Sequence, residues 1–147
     1  MSLADRVAVM DHGKVRQLDH PLDLYRHPRS IFVADFIGSS TILRGAYANG
    51  QWVAPGLNAF EVGAECSSAI AVALRPESVA LVAPTDLAAR QVGAVSEVFF
   101  QGDHALAQVA VQEMSFLAEV RGDVLPARGD SVGLAWDSPA AIALFEE

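Results

Sequence analysis

The chain has 147 residues, is 52% hydrophobic and carries a formal net charge of −8. No apolar run approaches the roughly 18 residues of a membrane-spanning helix, the N-terminus lacks the basic, then apolar, then small-residue order of a secretory signal, and a single cysteine, Cys66, permits no internal disulfide. Residues 1–37 balance five basic against five acidic side chains, whereas residues 38–147 set five against thirteen, so the second segment repels phosphate backbones and disfavours nucleic-acid binding.

In chain order, residues 6–10 and 14–18 alternate apolar and polar positions around the turn sequence Asp11-His12-Gly13. That pattern predicts a β-hairpin in which Gly13 supplies positive φ. An isolated hairpin is marginal in water and needs a covering layer, which the following residues do not obviously provide as a sheet. Pro21 suits a first helical position, with residues 22–27 making about two turns before Pro28 stops them. Ser30 then caps a short helix from Ile31 to Ile37, with Gly38 as terminator. Phe32 and Phe36 fall four apart, and Val33 and Ile37 repeat the spacing, giving an apolar face that needs a partner.

Beyond Gly38 the period changes to two. Ile70, Val72 and Leu74 alternate with Ala69, Ala71 and Ala73; Phe116, Ala118 and Val120 form one face of a strand, and Val132, Leu134 and Trp136 one face of another. Similar alternation runs through residues 91–100 and 105–111, and Gly-, Pro- and Asp-rich turns punctuate the series. Short strands at this spacing predict a mainly β fold, a small barrel or sandwich.

The pattern holds few of the residue arrangements that catalysis or metal binding needs. The one lysine, Lys14, is followed by Val15 and lies between two strands, which excludes a Walker-type phosphate loop. Cys66 has no sequence-defined catalytic partner and reads as a small, part-buried hydrophobe in a reducing cytoplasm. His12, His20, His27 and His104 match no metal-ligand spacing. No catalytic, cofactor-binding or metal-ligating residue is assigned. Arg75-Pro76-Glu77 stands out, because proline interrupts two runs of β-formers with charge on either side. It reads either as a bend with a surface ion pair or as a charged corner that docks another domain.

The stretch LADRVAVMDHGKVRQLDHPLDLYRHPRSIFVADFIG closely resembles the end of the ATP-binding subunit of ABC-type solute importers, at Leu3 to Met10, Gly13 to Val15, Gln17, Pro21, Asp23 to Tyr25, Pro28 and Phe32 to Gly38. The remainder resembles the transport-associated OB (TOBE) extension of maltose, polyamine, iron and sulfate importer ATPases. ALRPESVAL carries that family's Arg-Pro-Glu signature at Arg75, Pro76 and Glu77; GAVSEVFFQGDHALAQV is similar to its strand pair and RGDSVGLAWDSPAAIALF to its closing segment. The phosphate loop, signature sequence, Walker B acid and switch histidine of that family are absent from these residues, and Asp19 stands where the family usually has glycine.

The resemblance implies two domains, residues 1–38 as the hairpin and helical connector that end an ABC ATPase domain, and residues 39–147 as an OB-like β-barrel. It implies a regulatory and dimerisation module that hydrolyses no ATP itself; ATP and magnesium would belong to the catalytic domain of a full-length subunit. Expected partners are the subunit's own ATPase domain, a second ATPase subunit and, through the parent, transmembrane permease subunits, on the cytoplasmic side of the membrane. A homodimer, partly through residues 1–38, is also expected. Phe32 and Phe36 are candidates for packing the connector against a neighbouring surface, and Arg75 and Glu77 for polar docking. An alternative is a free-standing binder of molybdate-type oxyanions using residues 37–41, Ile-Gly-Ser-Ser-Thr, as an anion nest. An oligonucleotide-binding module is a further alternative, disfavoured by the charge and by having only Trp52, Phe99 and Phe100 to stack on bases.

Overall fold

The computed structural model describes residues 5–147. Leu3 and Ala4, which open the importer-like stretch, lie outside the described residues. β1 (Val7–Asp11) and β2 (Lys14–Asp19) form the predicted antiparallel hairpin. His12 at φ 50° and Gly13 at φ 77° make its tight turn, the left-handed pair that matches the twist of the flanking strands. α1 (Pro21–Arg26) begins on its proline, and α2 (Ile31–Phe36) is capped by Ser30, whose Oγ accepts from Val33 N at 3.1 Å. Gly38 departs from expectation. The helix closes on Ile37 in a right-handed conformation, and Gly38 is not among the glycines at positive φ. A Cβ at Gly38 would instead lie 3.3 Å from Arg75 Nη1 and 3.4 Å from Tyr25 Cε2, so its smallness serves a close approach.

The expectation that the hairpin lacks a cover is corrected by the two helices. Val9 from β1, Leu24 from α1 and Val33 from α2 form a buried cluster, flanked by Val7, Phe32 and Ile37. Gln17 stitches the layers: its Nε2 donates to His27 O at 3.1 Å, and its Oε1 accepts from Arg29 N at 2.9 Å. The opposite face of the hairpin leaves Met10, Val15 and Leu18 exposed.

Among the described residues the other strands form three antiparallel sheets. One runs β11 (Met114–Val120), β10 (Ala105–Val111), β9 (Gln91–Phe100), β12 (Ser131–Ala135), β8 (Ala80–Val82); the second runs β13 (Ile142–Leu144), β7 (Ala71–Leu74), β3 (Thr41–Arg44); the third runs β4 (Ala46–Ala48), β5 (Gln51–Val53), β6 (Phe60–Glu61). All three contribute to one core, which includes Leu43, Trp52, Phe60, Val72, Leu74, Phe116, Leu134 and Trp136. Of the period-two faces predicted for β7, β11 and β12, Val72, Leu74, Phe116, Ala118, Val132, Leu134 and Trp136 point into this core, whereas Ile70, ahead of β7, packs on the other side of the sheet and Ala69 takes the core side instead. The fold is mainly β, as the sequence pattern predicts.

β7 is buried on both faces. Val72 and Leu74 enter the main core, while Ala71 and Ala73 meet Ala34 of α2 and Leu144 of β13 in a second cluster. The small side chains on that face let a helix lie close to the strand. The last residues complete the junction. Phe145 N donates to Arg29 O at 2.9 Å, Ile31 N to Glu146 O at 2.9 Å and Phe32 N to Glu147 O at 3.1 Å. The strap 145–147 thereby satisfies two N–H groups of the first turn of α2 that have no partner within the helix, and Ser30 satisfies the third.

Candidate functional site

Arg75 follows β7 and precedes Pro76, the first residue of a 3-10 turn (Pro76–Ser78). Proline disfavours a helical conformation in the residue before it, and Arg75 is extended at φ −77°, ψ 143°. Its side chain runs beneath the connector and is only 3% exposed. Nη1 donates to Ala34 O at 3.0 Å and to Ser40 Oγ at 2.7 Å, while Nη2 donates to Tyr25 O at 2.9 Å. One planar guanidinium therefore holds a carbonyl from each connector helix, a task suited to the fixed fork of arginine. The same group lies 4.2 Å from the centroid of the Tyr25 ring, within cation–π range.

The Tyr25 hydroxyl donates to the Glu77 carboxylate, with Oε2 at 2.6 Å. Burial, then the hydrogen bond and the charge of Glu77, push the Tyr25 hydroxyl up to about 12 from its ordinary 10.0. Burial also lowers the Arg75 pKa, against the raising effect of Tyr25 and Glu77, but a guanidinium stays charged throughout. Among the described residues Arg75 and Glu77 form no ion pair with each other, so the reading of a bend with a surface pair is replaced. Arg75 binds carbonyls from below, and Glu77 takes the tip of the tyrosine ring.

Phe32 and Phe36 stack on each other with centroids 5.8 Å apart, and Arg16 lies 4.9 Å from the Phe32 ring. Val33 and Ala34, rather than the phenylalanines, are the fully buried side chains of α2; Phe36 remains 65% exposed. In the predicted anion nest, Ser40 Oγ accepts from Arg75 and Thr41 Oγ1 accepts from Leu117 N at 3.0 Å. Those hydroxyls are thus engaged in holding the fold. Trp52 is buried, with its Nε1 donating to Leu43 O at 3.1 Å, and offers no face to a base. Lys14 opens β2 at the hairpin turn, with no glycine-rich loop beside it, so the residues present do not fit a nucleotide phosphate site.

Sequence reasoning missed three contributors to the junction. Tyr25 and Gln17 were legible as parts of the importer-like motif but carried no assigned role, and the strap had no signal at all.

Residues 72–144 match the TOBE domain family. This chain carries a TOBE domain. Around that domain the similarity extends over nearly the whole chain to the C-terminal region of ABC importer ATP-binding subunits. The spermidine/putrescine import ATP-binding protein PotA of Desulfitobacterium hafniense is 32% identical over 91% of this chain and 38% of its own length. The uncharacterized ABC transporter ATP-binding protein YdcT of Escherichia coli is 32% identical over all of this chain and 41% of its own. The chain thus spans about two fifths of the length of these relatives, and the matched region contains no catalytic domain. Among solved structures, the cytoplasmic molybdate-binding protein ModG, in a molybdate-bound form, aligns with a TM-score of 0.56 over 72% of this chain and 95% of its own. At 12% identity that likeness speaks for the TOBE fold alone.

Proposed function

We propose that the TOBE domain and its connector form a regulatory and dimerisation module of an ABC importer ATP-binding subunit. The observation that carries this reading is the Arg75 clamp. By binding carbonyls of both connector helices from the barrel side, it makes connector and barrel move as one body. A displacement of the barrel is then passed to the hairpin instead of being absorbed by a loose linker. A ligand or partner matters to such a device only through its different affinities for two arrangements.

In this reading the exposed hairpin face of Met10, Val15 and Leu18 packs on a neighbouring surface, and Phe36 adds to it from α2. The neighbour is the ATPase domain of a full-length subunit or, in its absence, a second copy. ATP and magnesium act in that domain, permease subunits are reached through it, and the module works at the cytoplasmic face of a membrane. Polyamine import is the solute class named for PotA.

Light scattering over a concentration series tests the dimerisation element. The expected result is a dimer that Val15→Lys with Leu18→Glu converts to a monomer while the thermal midpoint stays within a few degrees. A chain that is monomeric throughout, or a dimer indifferent to both substitutions, removes the hairpin from the interface.

A further inference from the structure

A groove of about 670 Å³ lies where the start of α2, β3, the 54–57 turn and the β10–β11 turn converge. Its walls are apolar: Ile31, Ile42, Leu43, Ala54, Leu57 and Met114. Such a concavity with few polar groups is the usual form of a small-molecule site. Two polar features decide what chemistry it suits. The first is Arg44 on its lining, already gripped by a carboxylate: Nη1 donates to Glu147 Oε2 at 2.8 Å and Nη2 to Glu147 Oε1. This is the paired geometry by which guanidinium recognises carboxylate. The second is Glu113 on the β10–β11 turn, the one acidic side chain on the lining.

We propose that this groove binds a small amphiphilic monocarboxylate, its chain against Ile31, Ile42, Leu57 and Met114 and its head on Arg44 in place of Glu147. Glu147 is not itself part of the lining, and its carboxylate shows the two-pronged grip that Arg44, on the lining, offers to such a head group. Both members of the pair are largely exposed, so exchanging one carboxylate for another at Arg44 requires no rearrangement of the core. Glu113 disfavours a more highly charged anion and favours a single carboxylate on an apolar chain. Occupancy would release the side-chain hold on the strap while leaving its carbonyl bonds to α2 in place. The proposal stands apart from the dimerisation reading, since no groove residue belongs to the exposed hairpin face.

The test is a titration of the chain with octanoate, 1-octanol and octylammonium, followed by calorimetry and by amide and methyl resonances. Octanoate is expected to bind about fivefold or more tightly than 1-octanol, and octylammonium more weakly than either. Shifts should concentrate at Ile31, Ile42, Leu57 and Met114. Arg44→Gln should reduce octanoate to the affinity of 1-octanol, and Glu147→Gln should tighten octanoate by removing its competitor. Both substitutions are at exposed positions, and the same spectra report whether each variant is folded. Equal affinity for octanoate and 1-octanol, shifts away from the groove, or weaker octanoate binding by Glu147→Gln would each overturn the proposal.

Discussion

Arg75 shows how far a single side chain can act from its own neighbours in sequence. Read along the chain, it stands two residues from Glu77 across a proline, and a local ion pair is the natural inference. Its partners are 35 to 50 positions away, at Tyr25, Ala34 and Ser40, and no periodicity reports them. Replacing it by methionine leaves two carbonyls without their donor and is expected to cost about 3 kcal/mol or more, read by urea denaturation. Arg75→Lys should recover only part of that, since an ammonium cannot hold both carbonyls in one plane. An undiminished midpoint for Arg75→Met would show that the clamp contributes little. Tyr25 supplies a pH readout of the same junction. Because its folded pKa is raised, its contribution to stability is complete below about pH 10 and is lost as pH climbs through about 12. Glu77→Gln should move the Tyr25 titration part of the way back toward 10.0, seen in tyrosinate absorbance.

At the scale of elements, what could be read and what could not divide along the line between local and non-local forces. The hairpin, the proline start of α1, the Ser30 cap and the inward faces of β7, β11 and β12 were legible because turn chemistry, capping and period two are written within a few residues. The alanine face of β7 was visible as alternation but not as a helix-docking surface, because what covers it is α2, nearly 40 positions earlier in the chain. That face has little room. Ala73→Leu adds three heavy atoms where Ala34 and Leu144 already meet the strand, and overpacking of this kind costs about 1–3 kcal/mol. The expected result is a lower thermal midpoint with faster hydrogen exchange in α2, while exchange in β9 and β10 is little changed. A uniform loss of protection across the barrel would mean that α2 and β7 unfold only with the whole molecule.

For the whole molecule, the decisive feature is that α2 is held at both ends by the barrel. The strap takes its first N–H groups, and Arg75 takes the carbonyl of Ala34 near its last turn. Arg16 adds a bond from the hairpin, with Nη2 donating to Glu147 O at 3.0 Å, so the strap touches hairpin, helix and barrel together. Shortening the chain to end at Leu144 is expected to lower amide protection at Ile31 and Phe32 first and to leave the β9–β10 ladder intact. Protection unchanged at those two amides would show that Ser30 alone suffices to hold the helix start.

The strap also sets an order of events during synthesis. A ribosome makes the hairpin and α2 more than a hundred residues before it makes residues 145–147. The connector therefore emerges with two amides of its second helix unanswered, and they remain so while the barrel is being translated. Local contacts within the hairpin and helices can form early, but the junction closes only when residues 145–147 arrive. Between those moments, whatever the emerging connector meets competes with the strap for the same two amides.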